Sequence, residues 1–192
     1  PLPRLIGAHQ INNAATAIAA LRMAGFDLAH EAYERGVRRV EWPARMQPLT
    51  RGTLADVVPQ GCELWLDGGH NPEGGEVIAH AFAALHHLDA KPLHLIVGML
   101  ATKDAQAFLG AFAHHAESLT AIPIPLQKAA RTPDEICSLA RDVGLQATMA
   151  HDAISALQAL VEKHRGENLR ILITGSLYLA GEILAANGTP PQ

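Results

Sequence analysis

The segment LWLDGGHNPEGG sets Asp67, His70 and Asn71 immediately behind an apolar run and among four glycines. A carboxylate, an imidazole and an amide on backbone that glycine lets turn tightly form a set able to hold a polar substrate. The alternative reading gives Asp67 and Asn71 turn and helix-cap duties only. Three other segments have the same layout of apolar run, glycine or proline, then polar group. In IVGMLATKD, Gly98 closes a run and Lys103 with Asp104 opens a helix, either as functional groups or as an exposed lysine beside an N-cap aspartate. In ILITGSLYLAGE, Gly175 and Ser176 stand between a strand and a helix, where backbone N–H groups and a hydroxyl suit a carboxylate, or where serine simply caps. In WPARMQ, Arg45 follows the stiff Trp42-Pro43 pair, so that its planar fork is either aimed at a phosphate or solvated.

Several chemistries lack their residues. No GxGxxG follows the first strand and no GxxxxGK[ST] occurs in the chain, which leaves no dinucleotide fingerprint and no phosphate-cradling P-loop. The paired histidines His86-His87 and His114-His115 have no HExxH-like spacing, fit a helix surface, and suggest no metal site. The net charge of −4 is spread without a basic stripe, which argues against nucleic acid as a partner. Cys62 and Cys137 stand far apart without CxxC context, as in a reducing compartment. No apolar run approaches the ~18 residues of a membrane span, and the first residues lack a signal-peptide pattern, so a cytoplasmic protein without membrane contact is expected. With no initiator Met, the chain reads as a piece of a longer protein.

Positioning these groups requires a scaffold. Of 192 residues, 48% are hydrophobic, 18% charged and only 4% aromatic, so an aliphatic core in an ordinary globular domain is expected. Ile11, Ala14, Ala15, Ile18 and Leu21 recur at helical spacing over residues 10–24. His9, Asn13, Thr16, Ala17 and Ala20 fall on the other side, a small-residue face that something can approach closely. Asp27 is the expected N-cap of a second helix running to Val40, stopped by Trp42-Pro43. Beyond Pro43 the pattern becomes α/β: an antiparallel pair within 46–58, then strands at 63–67, 93–97, 118–122, 147–150 and 170–174. Helices are expected at 73–87, 104–115, 133–143, 152–164 and 179–186, with Thr132-Pro133-Asp134-Glu135 forming a capping box. The predicted fold is a three-layer, doubly wound, mostly parallel sheet with an antiparallel edge, in which ligands bind beyond the C-terminal ends of the strands. GTPPQ at the end is expected to fray.

Together, HQxxNAATAIAAL (His9–Leu21), WPARMQ (Trp42–Gln47), LDGGHNP (Leu66–Pro72), VGMLATKD (Val97–Asp104) and TGSLYLAGE (Thr174–Glu182), in this order, resemble folylpolyglutamate synthase and dihydrofolate synthase of the Mur ligase superfamily. The resemblance spans almost the whole chain. It departs at Ala44, where the family usually writes glycine, at Gly69, where it writes alanine, and at Ala8, where a basic residue is common.

The resemblance implies a C-terminal, Rossmann-like Mur ligase domain over residues 42–192, preceded at 1–41 by the helical end of an ATP-binding domain. It implies an ATP-dependent ligase that adds L-glutamate to dihydropteroate or a folate through an acyl phosphate, acting as a monomer. Asn13, Arg45 and Asp67 would serve ATP, and His70 with Ser176 the glutamate. His9, Asn71, Lys103 and Asp104 are further candidates, and no residue is assigned a catalytic role. Magnesium ligands and the P-loop would lie in the other domain, so the chain alone is expected to be inactive and to have negligible ATP affinity. Arg45 and Asp67 are both expected to be exposed, so that alanine at either leaves folding nearly intact. A Mur enzyme acting on a cell-wall precursor and a noncatalytic α/β binding module remain the alternatives.

Overall fold

The computed structural model describes residues 1–190 and contains, in chain order, α1 (His9–Met23), α2 (His30–Arg39), β1 (Gln47–Pro48), β2 (Glu63–Leu66), α3 (Pro72–Leu88), β3 (Leu93–Val97), α4 (Ala105–Gly110), β4 (Ser118–Ala121), α5 (Pro133–Asp142), β5 (Ala147–Met149), α6 (Ala153–Lys163), β6 (Arg170–Thr174) and α7 (Leu177–Ala186). The six strands form one sheet in the order β1-β2-β6-β3-β4-β5. Only the β1–β2 pair is antiparallel.

Central strands of a parallel sheet are covered on both faces, so they need near-continuous apolar runs. LHLIV of β3 and RILIT of β6 are buried at every position. Their side chains alternate between two cores, as the strand period of two requires. Leu95, Val97 and Leu172 join Ile78, Phe82, Phe108 and Ile136 beneath α3, α4 and α5. Ile96, Ile171 and Ile173 join Leu157, Leu160, Leu179 and Ile183 beneath α6 and α7. This is the expected three-layer architecture. Two aromatic pairs sit in the first of these cores: Trp65 meets Phe82 edge-on at 5.9 Å between ring centroids, and Phe108 meets Phe112 at 5.4 Å. The capping box of α5 also forms, with Glu135 N–H donating to Thr132 and the Glu135 carboxylate accepting from the Thr132 backbone.

Some boundaries move. The antiparallel pair does not lie within 46–58: β1 pairs with β2, and Ala55–Val57 is a 3₁₀ turn. The partner was distant in sequence, where local alternation gives no information. Asp27 caps nothing, because α2 starts at His30 with Ala29 as N-cap and no side-chain cap bond. The helix expected at 104–115 ends at Gly110, after which i→i+3 bonds tighten the chain through Phe112 and Ala113. In the terminal GTPPQ, residues 191–192 lie outside those described.

Neither α1 nor α2 packs closely against an element of the sheet. Gln10 is their only buried residue, while Ile11, Met23, Phe26 and Leu28 are exposed. Among the described residues no helix is long and apolar enough to cross a membrane.

The N-terminal edge of the sheet is locked by charge. Buried Arg170 donates from Nε to Glu63 Oε2 at 2.7 Å and from Nη2 to Oε1 at 3.1 Å, and Lys91 Nζ reaches Oε1 at 2.6 Å. Burial alone raises the Glu63 pKa, but the hydrogen bonds from Arg170, Lys91 and Trp65 outweigh it and hold the carboxyl at about 2. Nearby, His94 lies buried with its ring centroid 4.6 Å from that of His164. Burial first, then the charges of His164 and Lys163, push His94 down to about 4 against the pull of Glu167.

Candidate functional site

At the other edge, β2, β6 and β3 end side by side, and their following loops are tied by backbone. Gly175 N–H donates to Gly69 O at 3.0 Å, and Gly98 N–H donates to Thr174 O at 3.3 Å. Gly175 has φ +109, and a Cβ there would stand 2.7 Å from Gly98 O, so this junction needs glycine. Asp67, His70, Gly98 and Ser176 therefore share one edge of the sheet, as their places after strands predicted.

Asp67 organises the first half of this edge. Its Oδ2 accepts the Met46 N–H and its Oδ1 the Gly69 N–H, both at 2.7 Å. Ala44 O accepts the Gly68 N–H at 2.9 Å, so WPARMQ and LDGGHNP are stitched together. Ala44 and Met46 both sit at positive φ, 55° and 43°, in a turn that buries them and leaves Arg45 exposed between them. No glycine marked this turn in the sequence. Burial raises the Asp67 pKa, against the two N–H donors and the charges of Arg45 and His9. Burial likewise lowers the His9 pKa, with Asp67 opposing and Arg45 assisting. His9, Arg45 and Asp67 thus form one electrostatic group, drawn from three separate motifs.

Asp67 is not exposed: 3% of its surface is accessible. That corrects the expectation that alanine there leaves folding intact, since Asp67→Ala strips acceptors from two buried N–H groups.

Gln10 was quoted only as part of a motif, yet it connects this group to Asn13. Its Nε2 donates to His9 Nε2 at 2.9 Å, which leaves the His9 proton on Nδ1, and its Oε1 accepts from Asn13 Nδ2 at 3.1 Å. Asn13, His9 and Arg45 line a groove of about 640 Å³ whose walls include Tyr33, Val37 and Trp42. Arg45 adds a guanidinium to one end of this mostly apolar trough.

The second half of the edge holds His70, Ser176 and Lys103. His70 Nδ1 lies 2.9 Å from Gly68 O. A carbonyl only accepts, so Nδ1 carries the proton and Nε2 keeps a lone pair for an incoming donor. Ser176 is buried, and its Oγ accepts the Tyr178 N–H at 3.1 Å as N-cap of α7, which leaves the hydroxyl proton to give. Asn71 and Asp104 are N-caps: Asn71 Oδ1 accepts Gly74 N–H and Asp104 Oδ1 accepts Ala107 N–H, each at 3.0 Å. Their cap role is the one the geometry displays. Lys103 is half-buried between β3 and α4.

Among the described residues no group of three or more His, Cys, Asp or Glu could hold a metal ion. One further residue was missed. Buried Asn187, at the end of α7, accepts from Leu54 N–H at 2.9 Å and donates to Arg51 O at 2.9 Å, fastening the 51–55 loop. A lone Asn near a helix end gave no sign of this.

The model of the family "Dihydrofolate synthetase, C-terminal domain" matches residues 51–186. A probable bifunctional folylpolyglutamate synthase/dihydropteroate synthase of Haloferax volcanii is 29% identical over 178 residues, covering 93% of this chain and 20% of that protein. The folylpolyglutamate synthase of Lacticaseibacillus casei is 26% identical over 183 residues, covering 93% of this chain and 38% of that protein. The structure of Mycobacterium tuberculosis folylpolyglutamate synthase complexed with ADP superposes with a TM-score of 0.84 at 25% identity, covering 99% of this chain and 42% of that one. The chain thus spans between about a fifth and two-fifths of the length of these relatives.

Proposed function

The chain belongs to the family of dihydrofolate synthetase C-terminal domains, and from that premise we propose that it is the glutamate-ligating part of an ATP-dependent folate ligase. Residues 1–41 are the helical end of the nucleotide-binding domain, and residues 42–192 the smaller domain that closes over it. The observation that supports this reading is the stitch between Asp67 and the Arg45 turn, which sets Arg45 and Asp67 together on one half of an edge whose other half offers His70 and Ser176.

In the proposed reaction the γ-phosphoryl group of ATP passes to the terminal carboxylate of dihydropteroate or a folate, releasing ADP. The neutral amine of glutamate attacks the acyl carbon, orthophosphate departs, and the nitrogen gives up one proton. Asn13 sits at the adenine, Arg45 at the phosphates, and Asp67 at the ribose while also holding the Arg45 turn. His70 Nε2 accepts a hydrogen bond from the amine, and the Ser176 hydroxyl donates to a carboxylate at the α7 N-terminus. A P-loop and metal ligands come from the other domain. Closure of two half-sites excludes water, without which hydrolysis of the acyl phosphate competes with ligation. The complete enzyme is taken to be a cytoplasmic monomer, and residues 1–192 alone to be inactive.

The test is ADP release by the complete protein. Release that requires both glutamate and a dihydropteroate or folate acceptor supports the reading. Release with a nucleotide-linked muropeptide acceptor instead assigns the chain to a cell-wall ligase, and no amino-acid-dependent release in either arm removes it from the ligases.

A further inference from the structure

The loops that follow β3 and β4 run antiparallel for a short stretch beside the glutamate half of the edge. Leu100 and Ala130 form an isolated bridge, with Arg131 N–H donating to Met99 O and Ala101 N–H to Ala129 O, both at 2.8 Å. Half-buried Arg131 adds its side chain to this stitch. A single nitrogen, Nη2, donates to Ala101 O and to Lys103 O, each at 3.3 Å, while Nε is buried without a hydrogen bond among the described residues. Lys103 O also accepts from Ala105 N–H at 2.9 Å, so the guanidinium grips the peptide at which the loop becomes α4.

Lys103 makes no ion pair among the described residues. An ammonium on a four-carbon stem is mobile, and fixing the backbone at its root narrows the region it can reach. A second cation beside it cannot neutralise it. Arg131 can instead hold its backbone while adding positive potential to the same rim.

We propose that Arg131 is a positioning residue which, by gripping the carbonyls of Ala101 and Lys103, sets the Lys103 ammonium to bind a carboxylate of the incoming glutamate; this rests on the ligase reading above. The bond is one that lysine at position 131 reproduces in part, since an ammonium can reach one of the two carbonyls.

Steady-state kinetics of the complete ligase, each substrate varied in turn, test this. Arg131→Ala should raise KM for glutamate about tenfold and leave KM for ATP within about twofold, and Arg131→Lys should recover part of the loss. Lys103→Ala should raise the same KM, and the double variant should be no worse than Lys103→Ala within about twofold, because two steps of one chain are not additive. If the two losses multiply instead, Arg131 acts without Lys103 and the proposal fails. It also fails if Arg131→Ala lowers Tm while glutamate KM stays at the wild-type value, the mark of a structural brace. Should Arg131→Ala not fold, Arg131→Lys and Arg131→Gln, each combined with Lys103→Ala, give the same comparison. Absence of glutamate-dependent ADP release from the unsubstituted enzyme sinks the ligase reading itself, and is recognised before any variant is compared.

Discussion

Residues 1–41 and the sheet that follows differ in where their side chains find partners. The sheet buries Phe82, Phe108, Leu95 and Ile96 almost completely and locks its N-terminal edge with Glu63 and Arg170. The helical arm buries one residue, the polar Gln10, and leaves an apolar-walled groove open. A region that keeps its apolar groups to itself is stable alone, whereas one that exposes them is shaped for something else to complete it. The arm meets the sheet through Ile6, which packs against the core beneath α3, α4 and α5, and through the charges of His9, Asp67 and Arg45.

The contrast is most directly broken at the core. Phe108→Ala should cost about 3–5 kcal/mol in urea unfolding, while Met23→Ser on the arm should stay within about 0.5 kcal/mol. Comparable losses would mean that the arm is held as firmly as the sheet. Acid is the next lever, and its sign follows from the two depressed pKa values at the N-terminal edge. His94, held at about 4 against an ordinary value of 6.5, contributes stability that is whole above pH 6.5 and lost as pH falls towards 4. Glu63, held at about 2 against 4.5, contributes stability that is whole above pH 4.5 and lost as pH falls towards 2. Sheet stability should therefore drop in two stages, by on the order of 2 kcal/mol in the first, and His94→Leu should flatten that stage only. A pH titration of the unfolding midpoint that shows one stage in wild type, or the same first stage in His94→Leu, counts against this.

In the proposed ligase the two regions should also separate by substrate. Ser176→Ala should raise KM for glutamate about tenfold to a hundredfold, as expected for a hydrogen bond to a charged group worth about 1.5–3 kcal/mol. Asn13→Ala on the arm should raise KM for ATP by roughly three- to tenfold and leave glutamate unaffected. Kinetics in which either variant moves both substrates equally would erase the division. The smallest effect lies at the junction: Ala44→Gly relieves a left-handed backbone but removes a buried methyl, so the two terms of about 1 kcal/mol nearly cancel. A change beyond about 1 kcal/mol either way would mean that the turn is strained more, or packed more, than its φ of 55° indicates.

How much of this was legible in the sequence depends on how local the determinant is. β3 and β6 were read to the residue because a buried parallel strand is a short apolar run with nothing else to confuse it. The end of α4 was overrun because Phe112 continues the apolar period past the point where the hydrogen bonds change. Asp67 was found, but its burial was not, because that depends on the Met46 N–H arriving from 21 residues earlier. Ala44 and Met46 take conformations usually written with glycine, so the turn that displays Arg45 had no signature. Asn187 and Arg131 were missed for the same reason: each acts on backbone carbonyls or N–H groups of a distant loop, and a carbonyl has no residue type to search for.

The place of β6 in the sheet has a consequence for how the protein is made. β6 lies between β2 and β3, yet it begins at Arg170, long after β2 ends at Leu66. At translation rates of roughly 5–20 residues per second, the ribosome needs about 5–20 s to reach it after finishing β2. Once β3 is complete at Val97, β2 and β3 are both made, with a gap between them and two unsatisfied edges facing it until β6 arrives. Nascent chains stalled before Arg170 should therefore be held by chaperones and cut readily by proteases, and the sheet should close in one late event when its middle strand arrives.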